Sequence, residues 1–547
     1  MAARKKAAKK RAVRKSAKAK VKTRAKAKTK TKAKAKTKAK AKAKTKARTK
    51  TRARSKAATK TPSTRPGPVP QDGAAAKPAA KGGGQSSGPV GGKLGIRVRM
   101  YRIGFGDFFL LTVPGNGGPA HILIDCGVHA ANIGSMDDCV KDLKKATNSR
   151  LALVILTHFH ADHMSGFASN YDDFASFDHV GAVWITNRLD PKDDKASKFM
   201  AQITTVAQHL QLQLGARSDP AGEEAQRKVH NALGIELGAR GGANGGGNAK
   251  ALKLLQEGFK SKPPVYYYQG GDKPDLPPEL EGKITAEILA PSPKDSGGEY
   301  SASDNKKEQY LAAAADAGGV PHFKGVKPFE KIWPGSAADY PARVFHEFDS
   351  GMGERSRKPN NDGAAKLQAM LENMQPDVLA AAADKLDGTL NNQSLVVLFT
   401  CQGKKLLFVG DAQWGNWAYW LYGKAVTGKD PGITARAKEI LGSIDFYKVG
   451  HHGSTNATPI PAVGALNEHA AAMCSTATGA YGSPAKKTEV PRTALMDALE
   501  TRTQDRMVRS DWVGAGKTKP DPQATAELAH LPDGFTTPGD LYIDYNL

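Results

Sequence analysis

The chain has 547 residues, with 81 Lys or Arg against 53 Asp or Glu and a formal net charge of +28. The whole excess sits in residues 1–60, which hold 29 Lys or Arg and no acidic residue; 52 basic and 53 acidic side chains remain elsewhere, so the body is close to neutral. Four cysteines without CxxC spacing (Cys126, Cys139, Cys401 and Cys474) exclude a disulfide scaffold and fit a reducing compartment.

Residues 1–60 are Lys, Ala, Thr and Arg with no apolar face, and their crowded like charges predict a disordered arm. No apolar stretch follows it, so a secretory signal is not expected, and no run approaches a membrane span. The reading is a soluble, cytoplasmic protein. Residues 61–93, rich in Pro, Gly, Ala and Ser, read as a linker, and a folded domain is expected over 94–547. Strands are predicted at Ile96–Ile103, Phe108–Val113 and His121–Asp125, with a Gly/Pro turn at Pro114–Pro119. Leu151–Leu156 is a continuous apolar run, as in a strand buried on both faces. From about 190 to 390 the pattern is weakest and is read as a long insertion. It includes helices at Ala364–Glu372 and Pro376–Lys385, a Gly-rich loop at Gly238–Gly247 and a strand at Ile284–Ala290. Strands return at Ser394–Phe399, Leu406–Val409 and Ile444–Val449, which makes the body a layered α/β fold. Trp414, Trp417 and Trp420 repeat at helical spacing and read as core, with a base-stacking platform as the alternative. Tyr266–Tyr268 also read as packing residues.

The buried run at Leu151–Leu156 leads straight into Thr157-His158-Phe159-His160-Ala161-Asp162-His163. Three imidazoles and a carboxylate so close together are costly to bury without a partner. On extended backbone His158 and His160 point the same way, and Asp162 and His163 can turn toward a second ion. The donor set suits Zn²⁺, with Mn²⁺ or Fe²⁺ also compatible.

Three more segments follow the same order: Gly104-Phe105-Gly106-Asp107 with His121–Gly127, then Leu407-Phe408-Val409-Gly410-Asp411, then Lys448-Val449-Gly450-His451-His452-Gly453-Ser454. Together with the HxHxDH motif they resemble the metallo-β-lactamase superfamily. With Asn392-Gln393-Ser394-Leu395-Val396 added, the set is most similar to the β-lactamase-like domain of bacterial competence DNA-uptake channels and its soluble relatives. The resemblance covers about 94–190 and 390–500. It implies an αββα sandwich with two β-sheets between helices, and a dinuclear Zn²⁺ centre that activates a hydroxide for hydrolysis. It further implies that His158 and His160 hold one ion. Asp162 and His163, with His451 or His452, would hold the other, and Asp411 would bridge them. Asp162 would also orient the nucleophile, and Asp125 would fix the ligands from behind. Lys448 and Ser454 are weaker candidates for touching an anionic substrate. Asp107 reads as a turn residue. One departure stands out: superfamily enzymes often place another histidine ligand before the bridging Asp, yet none of His179, His209, His230, His322 and His346 has a matching context.

The Lys-rich arm is compositionally similar to linker-histone tails and would neutralise phosphates with little sequence preference, so nucleic acid is the expected partner and a nucleoid association follows. No oligomeric state is set by the sequence. The leading expectation is a metal-dependent hydrolase of phosphodiesters such as nucleic acid. Two alternatives remain: a hydrolase of a small ester, lactone or amide that uses the arm only for location, and a non-catalytic nucleic-acid-binding protein.

Overall fold

The computed structural model describes residues 95–215, 220–234, 247–293, 376–423, 432–486, 488–512, 531–538 and 541–547. The Lys-rich arm, the linker, the helix expected at Ala364–Glu372 and most of the Gly-rich loop lie outside the described residues.

Fourteen described strands form two sheets. The first has β1 (Arg97–Tyr101), β2 (Phe108–Gly115), β3 (Gly118–Cys126), β4 (Arg150–Leu156), β5 (His179–Thr186) and β6 (Val265–Tyr268) side by side in chain order. The C-terminal strands β14 (Tyr542–Asn546) and β13 (Phe535–Thr536) extend it beyond β1. The second runs β12-β11-β10-β9-β8-β7. In chain order these are β7 (Ile284–Ala290), β8 (Val396–Cys401), β9 (Lys404–Phe408), β10 (Phe446–Lys448), β11 (Ala471–Cys474) and β12 (Met507–Arg509).

One core lies between the sheets, where Met100, Phe109, Ile122, Ile155 and Trp184 meet Val397, Phe399, Phe408, Phe446 and Met473. The outer face of the first sheet is covered by helices α1 (Met136–Thr147) and α2 (Ala161–Ser169), through Val140, Leu143, Met164 and Phe167. Helices α6 (Trp414–Tyr422), α7 (Ala435–Ser443) and α8 (Thr493–Arg502) cover the second sheet. This is the αββα sandwich expected from the sequence.

Real strand ends differ from the expected ones by a few residues. β2 and β3 run on to Gly115 and from Gly118, so their turn is only Asn116-Gly117. The tryptophan reading as core holds for Trp414 and Trp417, which are buried in the second outer core; Trp417 Nε1–H also donates to Ala457 O at 2.9 Å.

The stretch from 190 to 390 is divided. Its strands β6 and β7 belong to the two sheets. Helices α3 (Asp194–Leu214), α4 (Pro220–Leu233) and α5 (Pro376–Asn391) share a separate apolar core of Phe199, Leu210, Val229, Leu379 and Leu386. This bundle stands beside the edge of the sandwich where β3, β4, β9 and β10 end, since Asp162 N–H donates to Asn231 Oδ1 at 3.1 Å.

Glycines let the backbone crowd at that edge. A Cβ on Gly127 would lie 2.4 Å from Ala161 O and 2.5 Å from His163 N. The turn leaving β3 therefore seats the first turn of α2 at a distance no other residue allows. That is the physical content of the Asp-x-Gly pattern.

Candidate metal centre

Strand ends from both sheets deliver the site. β4 ends at Leu156, Thr157 follows, and α2 begins at Ala161, which puts His158 and His160 on the connecting turn and Asp162 and His163 in the first helical turn. Asp411 follows β9, and His451 and His452 follow β10. Three site residues adopt left-handed backbone: Asp125 at φ 57°, His451 at φ 40° and His452 at φ 50°. A non-glycine residue there costs energy, and such strain persists where the surroundings over-determine it.

His158, His160, Asp162, His163, Asp411 and His452 are all buried. His163 Nε2 lies 3.0 Å from Asp411 Oδ2, and His452 Nε2 lies 3.3 Å from both Asp411 Oδ2 and Asp162 Oδ2. Ligand atoms of these four residues fall within 4.8 Å of one another, as do those of His158, His160 and Asp162. Asp162 Oδ1, Asp411 Oδ1, His163 Nε2 and His452 Nε2 are buried and have no hydrogen-bond partner among the described residues. Polar atoms orphaned together in this way fit metal ions, which would satisfy all of them at once.

The far side of each ring is anchored. His163 Nδ1 meets Asp125 Oδ2 at 2.7 Å, and His452 Nδ1 meets Ser475 O at 2.9 Å, so both rings turn Nε2 inward. Asp125 is itself held by the N–H and the hydroxyl of Thr157, at 2.8 and 2.7 Å. Asp411 N–H donates to Ser394 Oγ at 3.1 Å, which gives the Asn392–Val396 segment its place. Of the two adjacent histidines, His452 joins the carboxylates. His451 faces the cleft, bonded to Ser454 Oγ, to Asn456 Oδ1 at 3.1 Å and to Asn391 at 3.1 Å.

Lys448, expected as a candidate for touching an anionic substrate, is turned inward. Its ammonium is buried against Asp107, donates to Gly410 O at 2.8 Å and sits 3.5 Å from Asp411 Oδ1. It is absent from the cleft lining, whereas Ser454 is present there. Asp107 does serve the turn, donating N–H to Asp162 O at 2.8 Å. Its carboxylate also holds Lys448 and lies 3.6 Å from His163, a role that a Gly-Asp pair does not advertise. Among the described histidines outside the motifs, His179 pairs with Glu279 and His209 with its own helix at Thr205 O, and none joins a metal-ligand group. His322 and His346 lie outside the described residues.

Titration splits the site in two. Burial, followed by the charges of neighbouring imidazoles, pushes His158 down, and burial pushes His160 down, so both are neutral and ready to ligate. Burial acts the same way on His163 and His452, but it is outweighed by Asp411 together with other carboxylates, and His452 is pushed up to about 10. Metal bound by His163 and His452 must displace a proton from each ring. Affinity is therefore expected to rise with pH up to about 10. Calorimetric metal titration should show an enthalpy that tracks the ionisation enthalpy of the buffer; a buffer-independent enthalpy would contradict this.

An αββα sandwich with buried carboxylates and imidazoles gathered at one edge defines a candidate metallohydrolase. Residues 104–169 match the family described as the Metallo-beta-lactamase superfamily. That segment contains Asp107, Asp125, His158, His160, Asp162 and His163 and stops well short of Asp411 and His452. No curated protein matches the chain. The match and the clustered ligands together support a metal-dependent hydrolase in general terms. No described helix is long and apolar enough to cross a membrane.

Proposed function

We propose that the chain is a metal-dependent hydrolase of phosphodiesters, brought to nucleic acid by its Lys-rich arm. The observation that carries this reading is the convergence of unpartnered, buried Asp162, His163, Asp411 and His452 atoms on one point. His158 and His160 would hold the first ion, Asp162, His163 and His452 the second, and Asp411 would serve both. Zn²⁺ suits the donors best. Bound ions would polarise the scissile oxygen and lower the pKa of an attacking water. Asp162 lies on the cleft wall with Oδ1 unpartnered and would orient that water. His451 and Ser454, on the same wall, offer hydrogen bonds to the substrate. The motif likeness to DNA-uptake domains and the 29 cations of residues 1–60 favour a polyanionic substrate.

Metal analysis by mass spectrometry, then turnover of bis-p-nitrophenyl phosphate, single-stranded DNA and duplex DNA, tests the reading. Deleting residues 1–93 should cut nuclease activity at low salt and flatten its salt dependence while leaving small-diester turnover intact. Equal nuclease activity in both forms would separate the arm from catalysis.

One observation favours a second reading. The cleft measures about 540 Å³, with Phe105, Trp414 and Tyr481 on its walls beside the polar groups. That volume suits a small molecule. Turnover of a small ester, lactone or amide unaffected by deletion of the arm, without nuclease activity, would establish it.

A further inference from the structure

Among the described residues no extra histidine of the kind superfamily enzymes often supply joins the first metal position, and helix α5 reaches into that place. Asn391, the last residue of α5, is buried. Its Nδ2 donates to Asp387 Oδ2 at 3.1 Å and faces His451 Nε2 at 3.1 Å. A carboxylate accepts only, so the amide's orientation is fixed and Oδ1 must point the other way. It points at His160 Nδ1, 2.9 Å away, and His160 Nδ1 is in turn 3.1 Å from His158 Nε2.

Protons make this arrangement informative. Thr157 Oγ1 gives its proton to Asp125, so it accepts from His158 Nδ1–H at 3.1 Å, and His158 Nε2 is bare. Without metal, His160 Nδ1–H can donate to Asn391 Oδ1; ligation through Nδ1 moves that proton to Nε2, which has the Asp387 carboxylate 4.0 Å away. In that tautomer His158 Nε2, His160 Nδ1 and Asn391 Oδ1 all present lone pairs, a donor set for a cation between them. At Zn–N and Zn–O lengths of about 2.1 Å, tetrahedral ligand atoms stand roughly 3.4 Å apart. The observed separations need to open by only a few tenths of an ångström.

We propose that Asn391 is the third protein ligand of the first metal position, through Oδ1, and that Asp387 positions both Asn391 and His160. This inference rests on reading the site as a metal centre. An amide oxygen is a weaker donor to Zn²⁺ than imidazole, so the first ion is the more easily lost of the two. Helix α5 also lines the cleft, through Asp384, Asp387 and Asn391. The same helix thus shapes the substrate wall and completes the metal site.

Metal-free full-length protein should be titrated with Zn²⁺ by calorimetry and with Co²⁺ by visible absorption. Wild type is expected to take two ions, the weaker lost selectively in N391A, with an intact Co²⁺ spectrum for the tighter one. N391D, which substitutes a carboxylate of the same size, should tighten the weaker ion tenfold or more, and D387N should loosen it 10- to 100-fold, the range for groups that support a ligand. N391D and D387N keep the test alive if N391A does not fold. Wild type binding no metal would overturn the metal centre itself. Wild type binding two ions with unchanged affinities in N391A, or in N391D and D387N, would overturn this inference alone. So would a single ion in wild type that H163A abolishes.

Discussion

Asp411→Ala is expected to remove bound metal and lower hydrolysis by ~10³-fold or more, because metal ions contribute several kcal/mol to transition-state stabilisation. The reason is positional. Asp411 Oδ2 is within 3.3 Å of both His163 Nε2 and His452 Nε2, the only carboxylate oxygen among the described residues so close to both rings. Burial pushes Asp411 up, but His163 and His452 outweigh it and hold the carboxyl well below the usual carboxylate range, so it is an anion at neutral pH. Asp411→Asn keeps the shape and the backbone bond to Ser394 Oγ, and isolates the loss of charge. Metal content and turnover of bis-p-nitrophenyl phosphate check the result. Full activity with an intact metal complement in either variant would remove Asp411 from the mechanism.

Lys448→Met should destabilise the fold by about 3–5 kcal/mol, the usual cost of stripping one partner from a buried ion pair. Burial pushes the Asp107 carboxyl up and Lys448 works against it, while Asp107 and Asp411 together hold the ammonium charged. Without Lys448 the nearest countercharges of Asp107 are the metal-site imidazoles, at 3.6 Å for His163 and 3.7 Å for His452. Those rings would be drawn from their inward orientation, so metal affinity should fall as well. A double variant with Asp107→Leu should recover much of the stability, since an apolar pair of similar volume avoids burying charge. Urea unfolding of the three proteins measures this. No loss in the single variant, or no recovery in the double, would show that the pair is not what holds this corner.

The parts most legible in the sequence were those with strict local periodicity or dense chemistry. β4 reads as a strand because six consecutive apolar residues are buried on both faces, and the HxHxDH run that follows has no comfortable place except a site. β11 went unread because Ala471-Ala472-Met473-Cys474 carries little strand signal; its parallel pairing with β10 and β12 decides its state. Lys448 was readable only as a charge, since nothing in its neighbourhood reveals a carboxylate more than 300 residues earlier in the chain. Asn391 and Asp387 were invisible for a related reason. They lie on an ordinary-looking helix, four residues apart and hence on one face, and only the packing of α5 against α3 and α4 turns that face to the histidines. Choosing between His451 and His452 needed the positive-φ turn that sends neighbouring rings to different partners.

The two halves of the proposed ligand set come from opposite sheets: His158, His160, Asp162 and His163 from the turn after β4 and the start of α2, Asp411 and His452 from the ends of β9 and β10. An ion held between them would staple one leaf of the sandwich to the other, adding to the bonds that already cross this edge from Leu395 N–H to Thr157 O at 3.0 Å and from Ser475 Oγ to Gly106 O. Folding and loading then become one linked equilibrium, in which free ion at a thousand times its dissociation constant adds about 4 kcal/mol to the closed form. Scarcity of the ion would open that edge first, exposing the catalytic mouth before the distant core between the leaves had loosened.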